Sequence, residues 1–177
     1  TGGQTVLLDS GANTDCKPQY LQQFALMGAA YAEKVLHIER PRVGLLNNGA
    51  EAEKGNELTK AAYALLRNTP VNFVGNCEAR DALSGEFDVI VADGFDGNVL
   101  LKSIEGTAAM MMQTLKTGLY ASARTKLGAL LAKPAFRALK KKLDYTEAGG
   151  APLLGVRGGV IKAHGSSNAK AFCSAIL

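Results

Sequence analysis

Residues 93 to 98 read "DGFDGN" at the end of an apolar run, and their spacing suits the binding of an anion. Gly94 and Gly97 let a backbone approach a ligand closely, and a helix that opens there presents N–H groups carrying partial positive charge. Asn98, Lys102 and Glu105 then fall at i, i+4 and i+7, on one helical face, so the Lys102 ammonium can be directed toward whatever that end holds. The plainer reading is that Asn98 caps the helix and that Lys102 and Glu105 are solvated. Near the carboxyl end "AHGSSNAK" repeats the pattern, with His164, Gly165, Ser166 and Ser167 just ahead of another helical stretch. Ser167 or Asn168 can equally serve there as an N-cap. Lys54 and Asn56 in "EKGN" form a third set at a strand-to-helix boundary, and Asp93 closes the strand before Gly94. Other chemistries are poorly represented. Neither G-x-x-x-x-G-K-[ST] nor G-x-G-x-x-G occurs at a strand-to-helix turn, and G-x-S-x-G is missing. Asp9, Asp93 and Asp96 belong to separate loops, so no metal-ligand spacing emerges and no cofactor is expected.

These residues need elements to hold them. "TVLLD", "RVGLLN", "VNFVG" and "DVIVAD" are short, continuously apolar runs that read as strands. Helical spacing separates the first three. One stretch runs from Pro18 through "QYLQQFALMGAAYAEKVL", with Leu21, Phe24, Ala25, Gly28 and Ala32 on one stripe. The other is "GNELTKAAYALLRN", with Leu58, Ala61, Ala62 and Leu65 together. A long helix follows Asn98, and "GVIKAHGSSNAKAFCSAIL" reads as strand, turn and helix. Such an alternation predicts an α/β fold with a parallel-rich sheet flanked by helices. Ligands of such sheets lie beyond the carboxyl ends of the strands, where "DSGAN", "NNGAEAEKGN", "DGFDGN" and "HGSS" are expected to gather.

The chain has 177 residues, 47% of them hydrophobic, which is enough for one domain with a substantial core. It begins at Thr1 and enters a strand almost at once, which reads as a piece of a longer chain. No run reaches the ~18 apolar residues of a membrane-spanning helix, and the start is not of the signal-peptide kind, so the cytoplasm is the expected compartment. Cys16, Cys77 and Cys173 are too scattered for a disulfide framework or zinc site and read as buried small residues. His37 is expected to interact with the end of the helix that precedes it. The net charge of +4 is unevenly spread: from Gly106 to Leu143 there is no acid, while Lys116, Arg124, Lys126, Lys133, Arg137, Lys140, Lys141 and Lys142 are all basic. In the same segment Leu119, Ala123, Leu127, Leu130 and Leu131 lie on one helical stripe, and Pro134 opens a second short helix. Burial of that stripe, in a core or a dimer contact, is favoured over contact with an anionic membrane. With only Tyr120 and Phe136 as aromatics, the segment is a poor nucleic-acid platform.

Taken in order, "LLDSGANTDCKPQYLQQFALMG", "ERPRVGLLNNGAEAEKGNEL", "FVGNCEARD", "DVIVADGFDGNVLLKSIEG" and "GGAPLLGVRGGVIKAHGSSNAKAF" resemble the PlsX-type phosphate acyltransferases of bacterial phospholipid synthesis, from Thr5 to the carboxyl end. "LLNNGAE" departs from the family pattern at Asn48 and Ala50. The resemblance implies a single α/β catalytic portion over 1–177, with a basic helical segment at 106–143 and the family's amino-terminal part absent. Its fold would be similar to phosphotransacetylases and to isocitrate and isopropylmalate dehydrogenases. It implies transfer of a long acyl group from acyl carrier protein to orthophosphate, in a homodimer. Under that reading Asn98, Lys102 and His164 act on the reacting groups, while Asp93, Gly94, Gly97, Lys54, Asn56, Gly165, Ser166 and Ser167 bind substrate. Arg124, Lys126, Lys133, Arg137 and Lys140 to Lys142 would meet acyl carrier protein or an anionic membrane surface, with peripheral attachment at the inner face of the cell membrane. A short-chain acyl-CoA phosphotransacetylase and a non-catalytic basic binding module are the alternatives.

Overall fold

The computed structural model describes residues 4–142, 149–163, 165 and 167–176. Its chain divides into two compact units, Thr1–Ile104 and Glu105–Leu177. The first is built on a four-stranded parallel sheet of β1 (Val6–Leu8), β2 (Arg42–Asn47), β3 (Asn72–Glu78) and β4 (Val89–Val91), in the order β1-β4-β2-β3. Helix α1 (Pro18–Lys34) connects β1 to β2 across the place that β4 fills, and α2 (Glu57–Leu66) connects β2 to β3. The return from β3 to β4 has only a short 3-10 turn at Ala79–Asp81. The expected α/β class and its parallel sheet are present.

Strand periodicity divides the core. Val89 and Val91 point to the face covered by α1 and α2, with Leu21, Phe24, Ala25, Ala32, Val43 and Leu45. Ile90 points to the other face, where Cys77, Phe87 and Leu100 of α3 (Gly94–Leu119) pack. The buried stripe of α1 includes every residue that its spacing predicts. On α2 the buried face is Thr59, Ala62 and Leu66, and Ala61 is exposed. Thr59 can turn inward because its hydroxyl is within 3.2 Å of both the carbonyl and the side-chain oxygen of Asn56, so no donor is left unpaired. Of the cysteines, only Cys77 is buried; Cys16 is half-buried and Cys173 exposed.

An ion pair closes the amino-terminal edge of the sheet. Arg42 donates through Nε (2.9 Å) and Nη2 (2.9 Å) to the two oxygens of Asp88, whose carboxylate also takes the Arg42 backbone N–H at 2.8 Å. The Arg42 side chain, through those hydrogen bonds, holds the Asp88 carboxyl below its ordinary range, against the opposing effect of burial. A depressed carboxylate stabilises the fold above its unfolded pKa of about 3.9, and that contribution is lost as pH falls through the folded value. Thermal melts should therefore lose Tm more steeply below about pH 4 in the native chain than in Asp88→Asn, which has already forfeited the pair. Parallel curves would show that Arg42 contributes nothing through Asp88.

In the second unit the chain turns at Ser122 and starts α4 (Ala123–Leu131), then α5 (Lys133–Lys142) with Pro134 in its first turn. The Ser122 hydroxyl receives the Thr125 N–H, and the Thr125 hydroxyl receives the Ser122 N–H; this reciprocal cap interrupts the helix between Leu119 and Ala123. The continuous stripe expected from Leu119 to Leu131 is thus broken, and Leu127 (62%), Leu130 (63%) and Leu131 (77%) are exposed rather than packed in a core. A two-stranded antiparallel ribbon follows, β5 (Gly150–Pro152) with β6 (Ile161–Ala163), and then α6 (Ala169–Ile176). The last strand expected from sequence therefore exists but pairs with β5, which periodicity does not announce, and takes no place in the parallel sheet.

Candidate functional site

Because the four strands are parallel, the loops after β1, β4 and β2 emerge at one edge of the sheet. The β1 loop is organised by Asp9, only 6% exposed. Its carboxylate accepts the N–H groups of Ala12 (3.1 Å) and Asn13 (2.7 Å) and the Asn13 side-chain amide (3.0 Å). That turn presents the Asn13 carbonyl to the Gly94 N–H at 2.8 Å, joining "DSGAN" to the start of α3. Gly94 and Gly97 are required here as close approaches. A Cβ on Gly94 would lie 2.6 Å from the Asn13 carbonyl oxygen, and one on Gly97 would overlap the Asp9 carbonyl oxygen. Gly11 stands against the Asn98 side chain from the other side, so Asn98 borders the same junction.

The first turn of α3 differs from the expected open anion cradle. Asp93, not Asn98, is the cap: its carboxylate accepts the Asp96 N–H at 2.7 Å, while the Gly94 N–H is held by Asn13. Asn98 sits in the second turn. Asp96, overlooked as a site residue in the sequence, has its carboxyl pKa raised by burial and by the neighbouring Asp93 charge, so it holds a proton to higher pH than an ordinary aspartic acid. Two carboxylates and two occupied N–H groups leave this tip less receptive to a dianion than its glycines suggest; Asn98 and the exposed Lys102 lie beyond it on the same helix.

Cys16 lies beside the junction, its Sγ 3.3 Å from the Asn13 carbonyl oxygen. Burial raises its thiol pKa, with Asp93, Asp9 and Asp15 adding to the rise and the Gly94 backbone opposing it. Burial and nearby acids push Cys77 up to about 12. Both thiols stay protonated near neutrality, the opposite of an activated nucleophile. Cys16→Ser should accordingly retain turnover within about twofold of the native chain, as a thiol with no covalent role requires; a loss of a hundredfold, measured under substrate saturation, would assign it a part in the chemistry.

The loop after β2 forms a neighbouring cluster. Asn56 caps α2 by accepting the Thr59 N–H at 2.9 Å, and the Asn47 amide reaches the Lys54 carbonyl at 3.2 Å. Gly55, at φ 101°, takes the left-handed turn between them, with no space for a Cβ beside Thr59 and Asn47. From β3 the buried Asn76 donates to the Glu51 carbonyl at 2.7 Å, tying this loop to the sheet. Asn47 and Asn76 were not anticipated. An amide inside an apolar strand is the only sequence signal that could have singled them out. Lys54 is exposed, with its stem against Gly49.

In the second unit Asn168, not Ser167, caps α6, accepting the Ala171 N–H at 3.0 Å. The Ser167 hydroxyl oxygen is buried with no hydrogen-bond partner among the described residues, and Gly165 is exposed. His164 and Ser166 lie outside the described residues, as do the side chains of Lys140, Lys141 and Lys142. His37 follows α1 in a left-handed conformation, φ 55°, and the Ile38 N–H beyond it returns to the Ala32 carbonyl, so that helix end is closed by backbone. Among the described residues no three His, Cys, Asp or Glu side chains are grouped to hold a metal ion.

Comparison with known proteins gives this arrangement a context. The phosphate acyltransferase of Clostridium acetobutylicum is 57% identical over 171 residues, 97% of this chain and 52% of that protein. That of Thermoanaerobacterium thermosaccharolyticum is 56% identical over 174 residues, 98% of this chain and 52% of that protein. A third, from Anoxybacillus flavithermus, is 57% identical over 171 residues. The chain spans about half the length of the curated relatives it matches. A family profile described as "Fatty acid synthesis protein" matches residues 1–177, and with these identities it establishes that the chain belongs to the fatty acid synthesis protein family.

Proposed function

We propose that this chain is the catalytic portion of a phosphate acyltransferase that moves a long-chain acyl group from acyl carrier protein to orthophosphate, producing acyl phosphate for phospholipid synthesis. The observation that carries the reading is the interlocked junction of "DSGAN" and "DGFDGN" at the carboxyl edge of the parallel sheet, in a chain so similar to proteins named phosphate acyltransferase. A phosphate oxygen attacks the thioester carbonyl; the C–O bond forms, the C–S bond breaks, and the proton lost by hydrogen phosphate goes to the departing thiolate. No enzyme nucleophile is needed, in keeping with the protonated Cys16 and Cys77.

Orthophosphate is strongly hydrated, so the protein's task is to hold it, partly stripped of water, beside the carbonyl. Lys102 neutralises charge on the phosphate, and Asn98 donates a hydrogen bond to phosphate or to the oxyanion that develops on the acyl carbon. Lys54, at the neighbouring β2 loop, adds the second cation, while Asn56 keeps the start of α2 in place. Asp93, Gly94 and Gly97 set the position of α3 and, through it, of Asn98 and Lys102. His164, Gly165, Ser166 and Ser167 belong to the other unit and remain assigned to substrate binding through the family resemblance alone.

The basic segment supports the carrier assignment. Acyl carrier protein and anionic lipid are both acidic, and a cation near an anionic membrane contributes about 1 kcal/mol. Arg124, Lys126, Lys133, Arg137 and Lys140 to Lys142 meet these partners, and exposed Leu127 and Leu131 favour peripheral attachment. A homodimer is the proposed assembly. The test is to incubate long-chain acyl carrier protein with phosphate and protein, then trap acyl phosphate with hydroxylamine, using both the 177-residue chain and one extended to the relatives' length. Hydroxamate that depends on added phosphate is expected; formation at the same rate without phosphate, in both chains, would overturn the reading.

A further inference from the structure

Lys54 is the cation that the proposed chemistry places at the β2 loop, and a loop lysine needs something to aim it. Glu51, Glu53 and Glu57 surround it in sequence, so an unrestrained ammonium would be drawn toward any of three carboxylates. Among the described residues Lys54 makes no ion pair. Its backbone, by contrast, is held from both sides. The Lys54 N–H donates to the Glu51 carbonyl at 3.1 Å, and that same carbonyl accepts Asn76 Nδ2 at 2.7 Å. The Lys54 carbonyl accepts Asn47 Nδ2 at 3.2 Å, while Asn47 Oδ1 takes the Asn48 N–H at 2.9 Å. The stem of Lys54 rests on Gly49, where a Cβ would lie 2.7 Å from Lys54 Cγ. Both amides come from the sheet. β2 and β3 pair with Leu45 opposite Asn76 and Asn47 opposite Glu78, so alternation puts Asn47 and Asn76 with the buried Leu45 on the face covered by α1 and α2. Asn76 is 7% exposed there, and its Oδ1 has no hydrogen-bond partner among the described residues. A buried acceptor left unpaired weakens a fold, and an apolar side chain of similar size would avoid it. The amide's one bond goes to the Glu51 carbonyl, so its effect falls on the loop rather than on the core.

We infer that Asn76 and Asn47 are positioning residues for Lys54: two strand amides, acting on either side of its backbone, fix the direction in which the side chain leaves the loop, so that its ammonium meets orthophosphate. The identity of the anion rests on the acyltransferase reading; the clamp rests on the loop's own hydrogen bonds. A cation held in this way loses less conformational freedom when the anion arrives, and that difference appears as phosphate affinity.

Protection of Lys54 from acetic anhydride by inorganic phosphate, followed by mass spectrometry, tests this without turnover. Phosphate should slow acetylation of Lys54 saturably and chloride of matched ionic strength should not, with Lys60, exposed on α2, as the internal reference. Asn76→Val removes both the donor and the unpaired acceptor and suits a strand, so its melting temperature should hold or rise. Asn47→Ala releases the loop from the other side. Each should raise the half-protecting phosphate concentration about 3- to 10-fold, the range for one hydrogen bond. In a chain extended to the relatives' length, each should raise the phosphate KM by the same factor and leave kcat and the thioester KM within about twofold. Neither should raise the phosphate KM further when added to Lys54→Ala, because a residue that acts through another then has nothing left to position. Lack of phosphate protection at Lys54 in the native chain, native-like protection in both amide variants, or full additivity with Lys54→Ala would overturn the inference. So would a lowered melting temperature with equal losses for both substrates, which is what a merely structural role produces. Protection that follows the expected pattern without phosphate-dependent hydroxamate would instead support the clamp and count against the acyltransferase reading alone.

Discussion

Gly97→Ala is expected to destabilise the first unit by about 3 kcal/mol or more, enough to lower its melting temperature by roughly 6–12 °C for a chain of this size. The added methyl would overlap the Asp9 carbonyl oxygen, and a backbone atom cannot swing aside as a flexible side chain does. To make room α3 must move away from β1, which strains the bond from Gly94 to Asn13 and shifts Asn98 and Lys102. Gly106→Ala is the matched control. It makes the same chemical change in the same helix, but among the described residues no atom beyond the neighbouring helix backbone lies within 4 Å of the new methyl, so only helix propensity acts and stability should rise by about 0.5–1 kcal/mol. Melting curves of the two variants should move in opposite directions. If Gly97→Ala melted like the native chain, the close contact of α3 with the β1 loop would not exist in solution.

The second large effect is functional. Lys102→Ala should raise the KM for phosphate about 10- to 100-fold, the range for losing a hydrogen bond to a charged group, while leaving the KM for the acyl thioester within about threefold, since uniform binding of only one substrate is lost. Lys102 is exposed in the third turn of α3 and alanine is a strong helix former, so the fold should survive, which a circular dichroism spectrum checks. Lys102→Arg should recover part of the phosphate affinity by restoring the charge but not its placement. A phosphate saturation curve unaltered in Lys102→Ala would remove this residue from the site and make Lys54 the next cation to test.

Both predictions depend on information that the chain carries unevenly. The buried stripe of α1 and the apolar strands were legible because a period of 3.6 or an unbroken apolar run reflects burial directly. The glycines of "DGFDGN" announced a close approach but not its partner. It proved to be the Asp9–Asn13 turn, more than eighty residues earlier in the chain, brought alongside because β4 inserts between β1 and β2. The same placement changed the meaning of Asp93: an acid before a glycine reads equally as ligand or cap, and the 2.7 Å bond to the Asp96 N–H makes it a cap.

Misreadings have equally local causes. The Leu119–Leu131 stripe has good helical spacing, yet Ser122 and Thr125 form a reciprocal cap that stops one helix and starts another, and polar caps compete with periodicity without disturbing it. β6 has the apolar look of a sheet strand, but its partner is the short β5, whose "GAP" has no strand signature of its own.

From residue types and spacing alone follow the α/β class, nearly every element and the acid-free basic segment, because these depend on local pattern; the family came from the resemblance of its motifs, taken in order, to known proteins. Strand order, the capture of Gly94 by Asn13 and the capping role of Asp93 were decided only in three dimensions. The first two depend on contacts between residues distant in sequence and the third on the backbone geometry at one helix start, and none leaves a periodic trace in the chain.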